Sequence, residues 1–510
     1  MPLSQVVIVG AGVGGLAAGA DLTRFGLDVT VLEKGDAPGG KMAALNVHDL
    51  AIDSGPTVLT MRAIFDSLFA DAGQSLTDHV TLRPLDILAR HAWSETEQLD
   101  LCADLRRSAD NIGVFCGVLE SRRFLDFCER ARAIFSALDR TFMQAQRPSP
   151  VGLMTSSGMA GLPGLLRISP FATLWDALGK YFHDPRLRQL FGRYATYCGS
   201  SPFLAPATLM LIAHAEQDGV WSVDGGMTRL AQALAGLAQS QGAKIRYGCR
   251  IASIGIAHGK AAHVITTDGE QIPADAIVFN GDAAALANGL LGQEAAPAIP
   301  PIARETRSLS AITWSASART SGFPLTRHNV FFSRNYRAEF DDIFKRGKVP
   351  EEPTVYVCAQ DRIDEEPHAG GDERLLILIN APPSGDRPAE LEIERCRERT
   401  LQQMARCGLN VTLDAQRTIE RTPRDFQHLY PGTGGALYGQ ASHGWMASFR
   451  RPGSRTAIPG LYLAGGSVHP GPGIPMAALS GRLAAQALMQ DLASRATFRR
   501  TAMRGGMPTR

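Results

Sequence analysis

The feature that most constrains the fold is a glycine-rich loop near the N-terminus. Residues 6–34 read VVIVGAGVGGLAAGADLTRFGLDVTVLEK. The β-branched run Val6–Val9 predicts a buried strand, the alanine-rich stretch after the loop predicts a helix, and Val29–Leu32 predicts a second strand that Glu33 closes. Strand, G-x-G-x-x-G loop, helix, strand and acid in this order are typical of a dinucleotide-binding βαβ unit. The chain is therefore predicted to be an α/β protein with a Rossmann-like domain.

Each part of this unit has a physical task. Gly10 permits the tight turn, Gly12 lets the backbone approach a pyrophosphate, and Gly15 lets the helix pack closely on the strand. Gly14 lies in the same loop and belongs to the predicted site. The helix N-terminus offers free N–H groups to the phosphates, and Glu33 can accept hydrogen bonds from ribose hydroxyls while repelling a 2′-phosphate. The alternative is a tight turn that binds no ligand.

Two further glycine-containing loops indicate which dinucleotide is bound. DAPGGKM contains Gly39 and Gly40 followed by Lys41, and DSGPT contains Asp53 and Gly55. Such loops suit a long ligand that extends past the first cradle, with Lys41 pairing with its phosphates; the alternative for Lys41 is an exposed loop lysine. No second G-x-G-x-x-G follows, and a pyridine-nucleotide reductase would need one. The sequence therefore favours one FAD and no separate NAD(P)H domain.

Two distant segments are predicted to complete the FAD site. Residues 221–282 read as a loop, a helix, a hairpin that turns at Asp268-Gly269, and a buried strand. The backbone at Arg250 and Ile251 is predicted to edge the adenine.

The second distant segment is the uncharged run LYLAGGSVHPGPGIPMAALSG, residues 461–481. Its prolines and glycines exclude a membrane-spanning helix. Leu461–Ala464 is predicted to be a strand, Gly465 and Gly466 a close backbone approach, and Met476–Leu488 a helix introduced by Pro475. The helix N-terminus is predicted to face the flavin, where it stabilises negative charge on the reduced ring.

Charge and cysteine content indicate which kinds of partner and ligand the chain is not expected to bind. The formal net charge is +2, and no basic stretch is interleaved with aromatic residues, so a nucleic-acid partner is not predicted. The eight cysteines form no Cys-x-x-Cys pair, which favours reduced thiols in a cytoplasmic protein over disulfides or a metal site. No signal peptide is predicted.

With these residues in hand, the sequence resembles the bacterial carotenoid desaturases, the phytoene desaturase family of FAD proteins, over nearly its whole length. The stretches that carry the resemblance are VVIVGAGVGGLAAG, APGGKM, DSGPTVL, VDGGMTRLAQAL and LYLAGGSVHPGPGIP. Residues 53–62, 431–449 and 464–482 resemble, within that family, the hydroxyneurosporene desaturases, which are 1-hydroxycarotenoid 3,4-desaturases. Relatives that act on phytoene share most of the glycine framework.

The resemblance implies an FAD-dependent desaturase that removes two hydrogens from C3 and C4 of an acyclic 1-hydroxycarotenoid such as 1-hydroxyneurosporene. It implies the flavin amine oxidase/phytoene desaturase fold, with a mixed α+β substrate domain. It also implies peripheral association with a membrane, in which such substrates dissolve. Oxygen, a quinone or another carrier would each suit one FAD, so the electron acceptor stays open.

The predicted domains are discontinuous. The FAD-binding domain comprises residues 1–75, 217–292 and 452–493, and the carotenoid domain comprises residues 76–216 and 293–451. Within the latter, residues 151–182 form a candidate membrane contact, with Leu165, Leu166, Phe171, Leu174, Trp175 and Leu178 facing lipid and Arg167 and Lys180 facing headgroups. The alternative is that these residues are domain core. Elsewhere in the carotenoid domain, strands are predicted at Ser308–Ser317, Thr354–Ala359 and Leu375–Asn380, and a long helix at Ala389–Cys407. Residues 494–510 form a basic tail, predicted to be solvated and frayed; the alternative is that the tail contacts anionic lipid headgroups.

The expected chemistry is hydride transfer from an allylic carbon to the flavin, with loss of a proton from the neighbouring carbon. No catalytic base is assigned; Asp53, Tyr430 and His469 are candidates only because they lie near the motifs. Two other functions stay open. A flavin amine oxidase would share the nucleotide cradle, and a lipid escort protein on the same scaffold would have no need of an intact one.

Overall fold

The computed structural model describes residues 4–146, 148–149, 171–363, 371–387 and 392–504, with side chains described up to residue 494. The strands are β1 Gln5–Val9, β2 Asp28–Leu32, β3 Ala44–Val47, β4 Leu50–Asp53, β5 Leu82–Pro84, β6 Ile87–Ala92, β7 Gln98–Cys102, β8 Trp221–Val223, β9 Lys244–Arg246, β10 Ile251–Ala257, β11 Lys260–Thr266, β12 Gln271–Pro273, β13 Ala276–Phe279, β14 Ser310–Ala318, β15 Thr320–Gly322, β16 His328–Phe331, β17 Val355–Ala359, β18 Glu373–Ala381, β19 Leu409–Val411, β20 Thr418–Arg421 and β21 Leu461–Leu463. The α-helices are α1 Val13–Arg24, α2 Ala63–Asp71, α3 Leu105–Cys116, α4 Val118–Leu138, α5 Leu174–Tyr181, α6 Pro185–Gly192, α7 Leu211–Gln217, α8 Thr228–Ser240, α9 Ala283–Ala287, α10 Tyr336–Asp341, α11 Ile393–Arg406, α12 Pro423–Leu429, α13 Ala447–Arg450 and α14 Ile474–Arg504.

A five-stranded parallel sheet forms the first lobe, in the order β21-β13-β1-β2-β9. Its central strands are almost wholly apolar because helices α1, α8 and α14 cover one face and the β10-β11-β12 sheet covers the other. All five strands fall within the three segments assigned to the FAD-binding domain from the sequence. The domain boundaries themselves stay a prediction.

A seven-stranded mixed sheet forms the second lobe, in the order β20-β14-β18-β17-β16-β6-β7. Strands β14 and β18 pair over their full length, from Ser310 with Ala381 to Ala318 with Glu373. Helices α3 to α7 and strand β16 enclose an aromatic core that includes Phe124, Phe127 and Phe191. The mixed α+β character predicted for the substrate-binding part is therefore confirmed.

Several elements predicted from periodicity are confirmed within one or two residues. They include the strands at Val6–Val9, Val29–Leu32 and Leu461–Ala464, the strands at Ser308–Ser317, Thr354–Ala359 and Leu375–Asn380, and the hairpin that turns at Asp268-Gly269. The helix predicted at Ala389–Cys407 spans Ile393–Arg406, and residues 388–391 lie outside the described part of the chain.

The C-terminal helix is longer than predicted. Its backbone starts at Ile474 and continues to Arg504, well past Leu488 and into the predicted tail. Tyr462 and Arg455 hold its middle through Asp491, at Oη–Oδ2 and Nε–Oδ1 distances of 2.8 Å and 3.1 Å. The helix therefore extends into the segment assigned to the tail, and the solvation and fraying of that segment stay a prediction.

The predicted membrane contact at residues 151–182 is described only from Phe171 onward; Leu165, Leu166 and Arg167 lie outside the described residues. Leu174 and Leu178 are fully buried in the aromatic core, so for these two leucines the core alternative is the correct one. Phe171 and Lys180 are exposed. In the described part of the chain, no helix is both long and apolar enough to cross a membrane.

Candidate cofactor and substrate site

One large cavity, of about 1130 Å³, joins the two lobes. It exceeds the range of about 300–1,000 Å³ that is usual for ligand pockets. Most of the residues predicted to bind the cofactor border it: Gly10, Gly12, Gly14, Glu33, Gly39, Gly40, Lys41, Gly55, Ile251, Gly465, Gly466, Pro475 and Met476. The structure thus brings three sequence-distant segments to one site.

The amide side chain of Asn280 shapes the glycine loop, and sequence reasoning missed it. A Cβ atom added to Gly12 or Gly14 would lie 2.8 Å from this amide, and one added to Gly15 would lie 2.2 Å from the Gly10 carbonyl oxygen. Asn280 also donates from Nδ2 to the Gly10 carbonyl at 3.2 Å. Gly15 therefore serves helix packing and does not border the cavity, as the role of the third glycine requires.

Two helix N-termini open on the cavity. Helix α1 begins at Val13, and its N-cap residue, Gly12, supplies no side-chain acceptor, so the first N–H groups stay available to a ligand. Helix α14 begins at Ile474, and Gly473 to Ala477 border the same cavity. The Ser480 hydroxyl accepts a hydrogen bond from the Gly465 N–H at 2.7 Å and fixes the glycine loop to this helix. Both ends favour bound negative charge.

Glu33 is buried at the end of β2 and borders the cavity. Its Oε2 accepts the Ala11 N–H at 2.7 Å, and its Oε1 accepts the Gly35 N–H at 2.9 Å. Because each carboxylate oxygen has a second acceptor position, Glu33 can still receive ribose hydroxyls. Its orientation is fixed by the backbone before any ligand binds.

Lys41 lies against the second lobe. Its Nζ donates to the Leu437 carbonyl at 2.6 Å and sits 5.3 Å from the ring centre of Tyr430. Burial lowers the pKa of Lys41, and the charge of Asp282 opposes that shift. The Tyr430 hydroxyl donates to the Gly40 carbonyl at 3.2 Å, and burial raises the pKa of Tyr430 to about 12. Tyr430 is thus a neutral wall of the site.

Asp53 does not border the cavity. Its Oδ2 accepts the Met227 N–H at 2.8 Å at the start of helix α8. Its backbone N–H and carbonyl both bond the side-chain amide of Gln360, at 3.0 Å and 2.9 Å. Asp53 therefore ties the DSGPT loop to both lobes, and the structure gives it a structural position.

His469 is buried beside the cavity rather than in its wall. Its ring packs edge-on against Phe142 with ring centres 5.0 Å apart. Burial lowers the pKa of His469 to about 4. The ring is therefore neutral at physiological pH.

Asp282 is a second cavity residue that sequence reasoning missed. It follows strand β13, and its Oδ1 caps helix α9 by accepting the Ala284 N–H at 3.0 Å. Its buried Oδ2 has no hydrogen-bond partner among the described residues. Acidic residues at the carboxyl end of a parallel strand are placed to meet a ligand in a doubly wound sheet.

These observations fit bound FAD. Asp282 offers an unused acceptor, and the backbone at Gly465 and Gly466 borders the cavity without any side chain in between. Glu33 and the N-terminus of α1 would hold the ribose and pyrophosphate, and the 465–477 segment would face the flavin ring. The cavity wall also has an apolar part, which includes Leu138, Leu209, Ile212, Val330, Leu376 and Leu378.

A parallel nucleotide-binding sheet joined to a mixed-sheet lobe over one shared cavity defines the class of flavin-dependent oxidoreductases. The model of the family described as flavin containing amine oxidoreductase matches residues 13–489, and the chain belongs to this family.

Individual members of this family and one solved structure are similar to the chain over nearly its whole length. The chain is 52% identical to a hydroxyneurosporene desaturase of Rubrivivax gelatinosus, over 99% of this chain and 97% of that protein. It is 47% identical to a hydroxyneurosporene desaturase of Cereibacter sphaeroides, over 96% of this chain and 98% of that protein. Among solved structures, an oxidoreductase of Methanosarcina mazei is 19% identical with a TM-score of 0.58, over 95% of this chain and 100% of that one, and shares the fold.

Proposed function

We propose that the chain is an FAD-dependent desaturase that introduces a C3–C4 double bond into acyclic 1-hydroxycarotenoids such as 1-hydroxyneurosporene. The observation that carries this proposal is the similarity, over nearly the full length, to proteins named hydroxyneurosporene desaturase. The cavity supports it, because an apolar chamber continuous with the nucleotide site suits a long hydrocarbon substrate.

The reaction removes a hydride from one of the two carbons and a proton from the other, so that the C3–C4 bond becomes double. When bound, FAD supplies the ring that accepts the hydride. The protein's contribution is alignment and exclusion of water. Leu376, Leu378 and Val330 supply apolar wall, and the conjugated chain of the substrate itself delocalises the positive charge that develops.

The test is a single turnover without air. The FAD-loaded protein is given liposomes that contain either 1-hydroxyneurosporene or phytoene, and flavin bleaching and products are followed. We expect bleaching with the hydroxylated carotenoid only, and a product two hydrogens lighter in about one equivalent per flavin. Turnover of phytoene alone would replace the substrate assignment, and a bound flavin inert to both substrates would favour an amine oxidase.

We also propose that the cavity mouth contacts a membrane. Phe171 is 74% exposed and Trp445 is 41% exposed, and their rings are in contact with centres 5.3 Å apart. Both side chains also border the cavity, so the exposed aromatic pair stands where a lipid-dissolved substrate would enter. Aromatic side chains at such a position insert readily at the headgroup boundary. The protein would thus be cytoplasmic and peripherally bound.

Replacing both aromatic residues, Phe171→Ser and Trp445→Ser, is expected to weaken liposome binding about tenfold or more, because each ring loses its apolar burial in lipid. Cosedimentation with liposomes measures the change. The control is Val114→Ser, which removes a 92% exposed apolar side chain on helix α3, away from the cavity. Equal binding of the double variant and the control would place the membrane contact elsewhere.

A further inference from the structure

A buried arginine interrupts the apolar part of the cavity. Arg193 borders the cavity and is only 9% exposed. Its guanidinium makes one hydrogen bond to the described residues, from Nη2 to the Tyr197 hydroxyl at 2.9 Å. A guanidinium carries five N–H donors, so most of its capacity is unused. A buried charge with unused donors is costly unless something in the cavity accepts from them.

The charge of Arg193 is already balanced. Tyr197 donates to Oε1 of the buried Glu216 at 2.8 Å, and Tyr194 donates to Oε2. Burial disfavours the charge of Arg193, but Tyr197 and Glu216 outweigh that effect and raise its pKa. Because the cluster is formally neutral, it has no need of an anion. The ligand that suits it is an uncharged hydrogen-bond acceptor.

A second unused polar group lies in the same wall. The Tyr336 hydroxyl is buried and has no hydrogen-bond partner among the described residues, and Tyr336 borders the cavity. Its ring is held edge-on against Phe340, with ring centres 5.1 Å apart. The two residues are neighbours in this wall, because a Cβ atom added to Gly192, the residue before Arg193, would lie 3.5 Å from Cε1 of the Tyr336 ring. The charge of Arg193 also lowers the pKa of Tyr336, against the effect of burial, which raises it. Together they offer N–H donors and a hydroxyl that can accept.

This pair shares the cavity wall with residues that contact the loops predicted to surround the flavin. Tyr356 borders the cavity, and its hydroxyl bonds the Thr57 hydroxyl at 2.6 Å in the DSGPT loop. Tyr438 also borders the cavity, and it follows Leu437, the residue whose carbonyl accepts Lys41. The turn that begins at Arg193 ends beside this tyrosine, because a Cβ atom added to Gly199 would lie 2.5 Å from the Tyr438 ring. The polar pair therefore faces the same cavity as two segments of the cofactor site.

We infer that Arg193 and Tyr336 bind the tertiary hydroxyl of the carotenoid and thereby select hydroxylated substrates. Arg193 donates a hydrogen bond to the hydroxyl oxygen, and the hydroxyl group donates one to Tyr336 Oη. This inference rests on the proposed function. In a 1-hydroxycarotenoid the hydroxyl oxygen is separated from C3 only by C1 and C2, so it lies within about 4 Å of the reacting carbon. A receptor for that hydroxyl must therefore lie beside the flavin, with the rest of the chain running toward Phe171 and Trp445.

A site built to bond a substrate hydroxyl rejects the analogue that lacks it, because its buried polar groups are then left unpaired. The test compares kcat/KM for 1-hydroxyneurosporene and for the 1,2-dihydro hydrocarbon that lacks only the hydroxyl. We expect Arg193→Met to lower the ratio of the two values about 10- to 100-fold, as loss of a charged hydrogen bond requires. Tyr336→Phe, which removes one unpartnered oxygen, is expected to lower it about 3- to 10-fold.

The control is Arg337→Met, which removes an exposed arginine next to Tyr336 that stacks over Phe203 at 4.0 Å. It should leave the ratio unchanged. A purely structural role for Arg193 would lower both kcat/KM values by the same factor and would overturn the inference. If Arg193→Met fails to retain flavin, an unchanged ratio in Tyr336→Phe overturns it instead. Wild-type protein that holds flavin but desaturates neither substrate would overturn the proposed function itself.

Discussion

Gly466→Val is expected to yield a folded protein that has lost its flavin. A Cβ at this position would lie 3.6 Å from the Pro472 Cα, which is ordinary van der Waals contact, so the first added atom does not clash with the protein. Because Gly466 borders the cavity, the added side chain takes up space where the 465–477 segment is expected to contact the flavin. Overpacking a filled site by a few carbon atoms costs enough to weaken flavin binding about 100-fold or more. The flavin-to-protein absorbance ratio after gel filtration measures the loss, and thermal unfolding reports the fold.

A matched glycine elsewhere supplies the control. Gly236 is exposed on helix α8, and a Cβ there would meet no atom within 4 Å. Gly236→Ala should retain full flavin and gain slightly in stability, because alanine favours a helix over glycine. Full flavin occupancy in Gly466→Val would show that this backbone does not face the ring. By contrast, Gly14→Ala is a poor test, because its Cβ would clash with Asn280 and with backbone whether or not flavin binds.

The nucleotide-binding sheet was predictable because its signals are local. Buried parallel strands read as continuous apolar runs, and the glycine loop has a fixed relation to the strand before it and the helix after it. Asn280 and Asp282 escaped notice because nothing in their own segment marks them. Both residues follow strand β13. They reach the site only because β13 pairs with β1, which places the end of β13 beside the glycine loop that follows β1.

The residues of the substrate part of the cavity were much harder to predict from the sequence. Arg193 follows an amphipathic helix, where an arginine is ordinarily solvated, and its partner Glu216 comes from a separate helix. Burial of both depends on packing of their helices against helix α4, which is distant in sequence, and local periodicity does not encode that packing. Leu174 and Leu178 could not be assigned to lipid or core for a similar reason. A helix face that packs in the core has the same apolar sequence pattern as one that contacts lipid.

Buried histidines make the folded state sensitive to acid. Burial lowers the pKa of His91 and of His328 to about 3, and that of His443 and His469 to about 4. An unfolded histidine titrates near 6.5. Below that pH the unfolded chain binds protons that the folded chain does not, so stability is present above about 6.5 and is lost as the pH falls toward 4. Each histidine accounts for about 2 kcal/mol between pH 7 and pH 5.

Buried carboxyl groups oppose this loss. Burial raises the pKa of Glu339 and of Asp53, so these groups take up protons in the folded state first and favour folding as the pH falls. Four histidines oppose two carboxyl groups in this window, and we expect a net loss of folding stability from pH 7 to pH 5. Guanidinium unfolding midpoints measured across this range, at a fixed excess of FAD, should fall steeply.

The histidine origin of this loss is tested by His469→Leu, which keeps an apolar side chain against Phe142 and removes one titrating ring. The variant is expected to have a shallower pH dependence, by up to about 1.4 kcal/mol per pH unit between pH 4 and pH 6.5. Its deficit relative to wild type should therefore narrow by about 2 kcal/mol from pH 7 to pH 5. His428→Gln, at an exposed position in helix α12, should keep the wild-type slope. Parallel pH profiles for wild type and His469→Leu would assign the acid sensitivity to other groups, because a ring kept neutral by burial cannot be removed without changing the proton balance of unfolding.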